Sequence, residues 1–216
     1  MKHTRTRRIL AAMVGLGLTG ASAGLVAGPA DASTDAARAG DTSLVEVLAA
    51  DGQELDKNWE DFDLVEAAVL AVLDAKPDSP VGLLADGDTR LTAFVPTDAA
   101  FRDLVRSVKG YAPKTEAKTL KQVVKIAGSI DTVETILLYH VVAGRTLTSD
   151  KVLAAEGEKI KTAQGGAFRV HLGKAGVFLV DKDRDAANPY VVALDVNRGN
   201  KQVAHGINRV LRPVDL

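Results

Sequence analysis

From residue 43 onward, apolar positions recur first at helical and later at strand spacing. Ser43-Leu44-Val45-Glu46 has the form of a capping box: the serine side chain holds the N3 amide and the glutamate reaches back to the cap. A helix starts there, and Asp51-Gly52 interrupts it. Apolar pairs at Leu64/Val65, Ala68/Val69 and Val72/Leu73 predict a core-facing helix over 63–73, ended by Pro77, Pro80 and Gly82. Leu91-Thr92-Ala93-Phe94-Val95 predicts a short strand stopped by Pro96. Thr97 then stands at an N-cap, with Asp98 in the first turn, where a carboxylate faces the positive end of the helix. Phe101, Leu104, Val105 and Val108 follow at i, i+3, i+4 and i+7, so that helix buries one face. Leu120, Val123, Val124 and Ala127 mark another helix, ending near Gly128. Asp131-Thr132-Val133-Glu134, with Asp131 as the cap, starts a helix that runs through Ile136, Leu137 and His140.

After Gly144 the period becomes two. Phe168, Val170 and Leu172 alternate with Arg169 and His171, and Gly173-Lys174-Ala175-Gly176 is a hairpin-length loop before Val177 to Val180. Tyr190 to Val196 and Ile207 to Leu211 supply further strands. Helices first and strands later predict an α+β fold rather than alternating α/β.

The first residues follow another pattern. A basic start with Lys2, Arg5, Arg7 and Arg8 leads into Ile9–Leu18, which holds only apolar residues and glycine. Small-x-small triplets follow at 21–23 and 30–32. This is the layout of a secretory signal peptide, expected over 1–32 with cleavage after Ala32 and Ala23 as second choice. The apolar run falls short of the roughly 20 residues that span a bilayer. Residues 33–42 are small and polar and read as a linker, leaving 43–214 as one folded domain. Gly15, Gly17 and Gly20 form a dinucleotide-fingerprint string, but it lies inside the leader without the strand–turn–helix unit that the motif needs.

Composition narrows the function classes. The 216 residues include 27 Lys+Arg, 28 Asp+Glu and no Cys, with a net charge of −1. Residues 1–32 carry a net +3, which leaves −4 on the rest. A chain so balanced has no electrostatic pull toward nucleic acid. The lack of Cys excludes disulfides, thiolate metal sites and thiol nucleophiles. A domain of this size buries about 70% of its unfolded surface and stands without such staples.

Candidate chemistry is sparse. Asp181-Lys182-Asp183-Arg184-Asp185 alternates carboxylates like a calcium loop, yet Ala186 and Val192 stand where that loop needs Gly and Glu. It reads as a solvated hairpin turn. His140, His171 and His205 lie too far apart in sequence for a short-spaced metal motif. His171 is expected to face solvent, and His140 and His205 to be buried, neutral and hydrogen-bonded. No Gly-x-Ser-x-Gly or Ser-x-x-Lys occurs. A hydrolase would need an unrecognised spatial site with His140 or His205 as base. Small-ligand capture in a cleft between helices and sheet is a further alternative.

Three ordered blocks resemble the fasciclin domain: Leu91-Thr92-Ala93-Phe94-Val95-Pro96-Thr97-Asp98-Ala99-Ala100-Phe101, Ile136-Leu137-Leu138-Tyr139-His140-Val141-Val142-Ala143-Gly144, and Gln202-Val203-Ala204-His205-Gly206-Ile207-Asn208-Arg209-Val210-Leu211-Arg212-Pro213. The last block departs from the family pattern. Asn200-Lys201 replaces an Asn-Gly pair, Gly206 replaces an apolar residue after the His, and Asn208 stands where Asp is common. The resemblance implies a wedge-like α+β fold, a β-sandwich with flanking N-terminal helices. It implies a secreted, bacterial-type single-domain adhesion module, not an enzyme, with no cofactor or metal. It further implies an extracellular protein or glycan partner, no nucleic acid and no stable membrane anchor. Tyr139, His140, Asp195 and Val196 match positions that the resemblance implies for partner contact, since animal members are implicated in receptor contact there.

Overall fold

In the computed structural model of the chain, residues 39–52 and 55–214 are described. The expected signal peptide lies outside them, as does the linker before residue 39. Two sheets carry the domain. The first has the order β2 (Val141–Ala143), β1 (Leu91–Pro96), β7 (Gln202–Ile207), β6 (Val191–Val196), and the second the order β3 (Lys159–Lys161), β4 (Ala167–Gly173), β5 (Gly176–Val180). β1 pairs β2 antiparallel and β7 in parallel, with Phe94 opposite His205 and Val95 opposite Gly206. The remaining strand pairs, β3–β4, β4–β5 and β6–β7, are antiparallel.

β1 and β7 are buried at every position because both faces of the first sheet are covered there; β1 is apolar except for Thr92, whose hydroxyl donates to the Arg145 carbonyl and accepts from the Leu147 N–H. One face of β1, with Leu91, Ala93 and Val95, meets a helical layer. That layer contains α1 (Leu44–Leu48), α2 (Asp63–Ala75), α3 (Asp98–Lys109), α4 (Glu116–Ala127) and α5 (Ile130–Tyr139). The other face meets the second sheet across Phe94, Tyr139, Ile160, Phe168, Val170, Leu179, Ile207 and Leu211. Phe94 and Phe168 meet edge to face, 5.1 Å apart. The fold is α+β, as expected. Among the described residues, no helix is long and apolar enough to cross a membrane.

The capping box forms: Ser43 Oγ accepts from the Glu46 N–H, and Glu46 Oε2 accepts from the Ser43 N–H. Gln202, fully buried, locks this helix to the sheet. Its Oε1 accepts from the Leu44 N–H, and its Nε2 donates to the Leu83 and Asp86 carbonyls. Thr97 caps α3 through the Ala100 N–H, and Gly110 and Gly128 close α3 and α4 in the left-handed conformation that glycine adopts without strain.

Several local expectations are corrected. Ser129, not Asp131, caps α5, because Ser129 has the extended backbone and accepts from the Thr132 N–H. Asp131 instead joins Glu134 in an ion pair with Lys76. His140 is the residue that closes α5 rather than part of it. The last strand is Gln202–Ile207, not 207–211; Val210 and Leu211 are apolar because they are buried, without strand pairing. Val108, Val124 and Leu172 fit their periodic patterns but are exposed near element ends and outer faces. A short helix, α6 (Ser149–Ala154), was hidden in a polar stretch that buries only Val152.

Candidate functional site

The Tyr-His block sits at the junction of the two cores. Tyr139 is fully buried, and its hydroxyl donates to the Ala167 carbonyl at 2.9 Å, which ties α5 to the second sheet. Burial pushes its pKa up to about 12. His140 is buried as well. Its Nδ1 lies 2.8 Å from the Ile136 carbonyl, and its Nε2 accepts from the Leu211 N–H at 2.8 Å. That pattern fixes the neutral tautomer with the proton on Nδ1, and burial lowers the pKa to about 4. Neither side chain reaches the surface. Their burial follows from closing the helix and joining the sheets at one point.

His205 shows the opposite tautomer. Its Nε2 lies 2.7 Å from the Leu147 carbonyl, and its Nδ1 accepts from the Asp195 N–H. Burial lowers its pKa too. Asp195 is mostly covered and acts as a long-range cap of α6: Oδ1 accepts from the Ser149 N–H and Oδ2 from the Ser149 hydroxyl, at 2.7 and 2.6 Å. Thr148, the N-cap residue of α6, makes no side-chain cap bond of its own. Asp195 and Asn197 have φ of 57° and 65°, which side chains of this type tolerate best. Val196 packs part-buried against the helical core. A serine, a histidine and an aspartate thus meet here, but wired differently from a hydrolytic triad. The serine hydroxyl goes to the carboxylate, and both imidazole nitrogens are taken by backbone groups. The four positions implied for partner contact therefore do not form one exposed patch.

The Asp181–Asp185 segment is not a solvated turn. Asp183 is buried, accepts from the Asp185 and Ala186 N–H groups, and pairs with the Arg212 guanidinium at 2.7 Å. Arg212 also donates to Ser107, so the segment anchors the C-terminal block. His171 is exposed as expected and faces Glu156 at 3.3 Å.

Asp98 departs from its expected role. It opens α3, but its side chain is buried; Oδ1 accepts from the Leu64 N–H at 3.0 Å. Asp61 and Glu116 offer carboxylate oxygens within 4.8 Å of one another and of Asp98, and Asp61 forms a second such trio with Asp56 and Asp63. Burial first, with the Asp61 and Glu116 charges adding, pushes the Asp98 pKa up to about 8, against the Leu64 N–H. Glu116 is raised as well, mainly by burial and then by the Asp61 and Asp56 charges, with the Asp56 N–H pulling the other way. The sequence signal for this cluster was Asp56, Asp61 and Asp63 within eight residues; only the fold adds Asp98 and Glu116.

Gly206 explains one departure in the closing block. A Cβ there would stand 3.0 Å from Ala193 Cβ and 3.2 Å from the Phe62 ring. Phe62 fills the space that an apolar residue after His205 would take. Separately, an apolar cleft of about 390 Å³ lies among α2, α4 and α5, lined by residues including Ala68, Ala71, Leu120, Val123 and Val133.

Known proteins bear on this arrangement. Among solved structures, the chain is similar to a FAS1 domain pair from the insect cell adhesion molecule Fasciclin I. The identity is 16% and the TM-score 0.39, over 69% of this chain and 43% of that one. The chain thus spans less than half of that structure. No curated protein matches it. The sequence model described as Fasciclin domain matches residues 69–213, which include all three blocks, from β1 through the Tyr-His junction to the end of the closing block. The chain belongs to the fasciclin domain family, a family associated with cell adhesion and interaction modules.

Proposed function

We propose that this protein is a secreted interaction module that binds an extracellular protein or glycan through its outer surface, without a catalytic step. The observation that carries the reading is the outer edge of β6. This strand ends the first sheet, and Val192 and Leu194 on it are 45% and 50% exposed. An exposed edge with apolar side chains invites pairing with another molecule, and soluble domains usually blunt it. Asp195 and Val196 lie directly beyond these residues, so the pair that the resemblance implied would shape this edge from behind. Family membership supports the same reading. The wiring of His140 and His205, with every ring nitrogen on a backbone group, favours surface work over acid–base work.

Immobilised protein is incubated with solubilised cell-surface and matrix fractions, beside a Leu194→Glu variant. The expected result is a retained protein or glycan whose recovery falls at least about tenfold in the variant, the range of a lost hot-spot contact. Equal recovery by both proteins, or none by the wild type, overturns the reading. A second reading, capture of a small apolar ligand, is favoured by the cleft beside α4, whose volume falls in the range of small-molecule sites. A melting-temperature rise with medium-chain fatty acids that Val123→Trp abolishes would select it.

A further inference from the structure

Three helices begin at one spot. Asp63 opens α2, Asp98 opens α3 and Glu116 opens α4, and the segment carrying Asp56 and Asp61 runs beside them. A single carboxylate at a helix N-terminus is common, since each helix end supplies about half a positive charge. Three such ends offset roughly 1.5 charges, against five carboxylates. The two deepest acids are the least satisfied. Asp98 and Glu116 are both fully buried; Asp98 Oδ2 receives no hydrogen bond, and the Glu116 carboxylate meets only the Asp56 N–H, outside good hydrogen-bond geometry. Among the described residues, neither acid is paired with a basic side chain. Arg102, one turn into α3, directs its Nε to the Pro113 carbonyl and stacks its guanidinium over Trp59. Unpartnered buried carboxylate oxygens are costly, so this arrangement calls for a positive ligand.

We propose that Asp61, Asp98 and Glu116, joined by the exposed Asp56 and the buried Asp63, bind a calcium ion. The donors are all oxygens, with no imidazole or thiolate, which suits a hard cation and not zinc. Oxygens bound to one calcium at about 2.3–2.6 Å lie at most about 5 Å apart. The oxygens of each trio already lie within 4.8 Å of one another. Backbone bonds hold the acidic segment against α3. The Asp98 N–H donates to the Asp61 carbonyl and the Ala99 N–H to the Trp59 carbonyl, which pins the acidic segment on α3. The Leu64 N–H holds Asp98 Oδ1 and leaves Oδ2 for the ion. Phe62, between Asp61 and Asp63, is seated over Gly206 and fixes the spacing of its neighbours. Asp56 is exposed and Asp61 half-buried, so the ion has a way in from solvent. A site of this kind on an extracellular module works at a Kd of roughly 10⁻⁴–10⁻³ M.

Trp59, the sole tryptophan, lies two residues from Asp61 and serves as the reporter. Terbium is titrated into chelator-treated protein, emission sensitised through Trp59 is read, and calcium is added to displace it. Melting temperatures are taken in EDTA and in calcium, for wild type, Glu116→Gln and Asp61→Asn. The expected result is a saturable terbium signal reversed by calcium, and a calcium-dependent rise of about 5–10 °C when the ion exceeds its Kd a hundredfold. Both variants lose signal and rise. Each relieves repulsion within the cluster, so each stays folded in EDTA with a melting temperature at or above that of the wild type. Two results overturn the proposal. One is the absence of a terbium signal and of a calcium shift at ion concentrations up to about 100 mM, a hundredfold above the weaker Kd, which would mean that protons alone neutralise the acids. The other is a calcium shift that both variants keep, which would place binding elsewhere.

Discussion

Acidification should destabilise this domain through His140 in a calculable way. The unfolded chain protonates this imidazole at its ordinary pKa of 6.5, whereas in the fold burial holds the group neutral to about 4. Between those values the unfolded state binds more protons, so stability falls as pH falls, and below about 4 this group adds no further loss. At 1.36 kcal/mol per pKa unit, the interval corresponds to about 3 kcal/mol. The Ile136 carbonyl works slightly against the shift and is included in it. Urea unfolding from pH 7.5 to 4 on wild type and His140→Gln gives the test. Glutamine keeps a donor and an acceptor but does not titrate. Other titrating groups, His205 among them, are common to both proteins, so the difference between the two curves isolates His140. That difference should grow steadily below pH 6.5 to about 3 kcal/mol. Imidazole resonances followed by NMR give an independent check on the wild type alone, with His140 unprotonated at pH 5. Parallel urea curves together with a His140 ring that titrates near 6.5 would falsify the burial argument.

Other perturbations probe other links. Phe101→Ala should cost about 3–5 kcal/mol in urea unfolding, since the ring is buried in the helical core; a near-neutral result would contradict the orientation of α3. Gly206→Val should cost about 1–3 kcal/mol by crowding Phe62 and Ala193, and Phe62→Ala combined with it should recover part of that loss. Asp183→Ala strands the Arg212 guanidinium in a buried place and should cost about 3–5 kcal/mol, read as a drop in urea midpoint, whereas changing exposed Asp88, beside Lys201, should cost under about 1 kcal/mol.

Local chemistry was legible wherever it acted within one turn or one strand. The Ser43–Glu46 box, the Thr97 cap, the apolar pairs of α2 and the strand β1 all formed as their residues dictate. What stayed illegible depends on contacts distant in sequence. Asp131 has the sequence of a cap, but Lys76 draws it outward, so Ser129 takes the position. Asp195 matched a partner-contact position, yet its carboxylate caps α6, 46 residues away. Asp183 looked like a solvent-facing turn until Arg212, 29 residues on, covered it. The acidic cluster joins residues from Asp56 to Glu116, and no short window contains them all. Histidine fared better: imidazoles set among apolar neighbours must find partners, and both buried rings found backbone ones.

The placement of β7 also governs the order of assembly. The final strand lies between β1 and β6, and its parallel register with β1 joins positions 91–96 to 202–207. The first sheet therefore stays split into two pieces until residues 202–207 have been synthesised. Pairing across so long a loop is slow, because closure entropy must be met before any contact rewards it. For a chain that leaves the cell as proposed, this delay is useful. A nascent domain that has not yet closed can still be threaded through a translocation channel, and the arrival of residues 202–207 completes the first sheet on the far side.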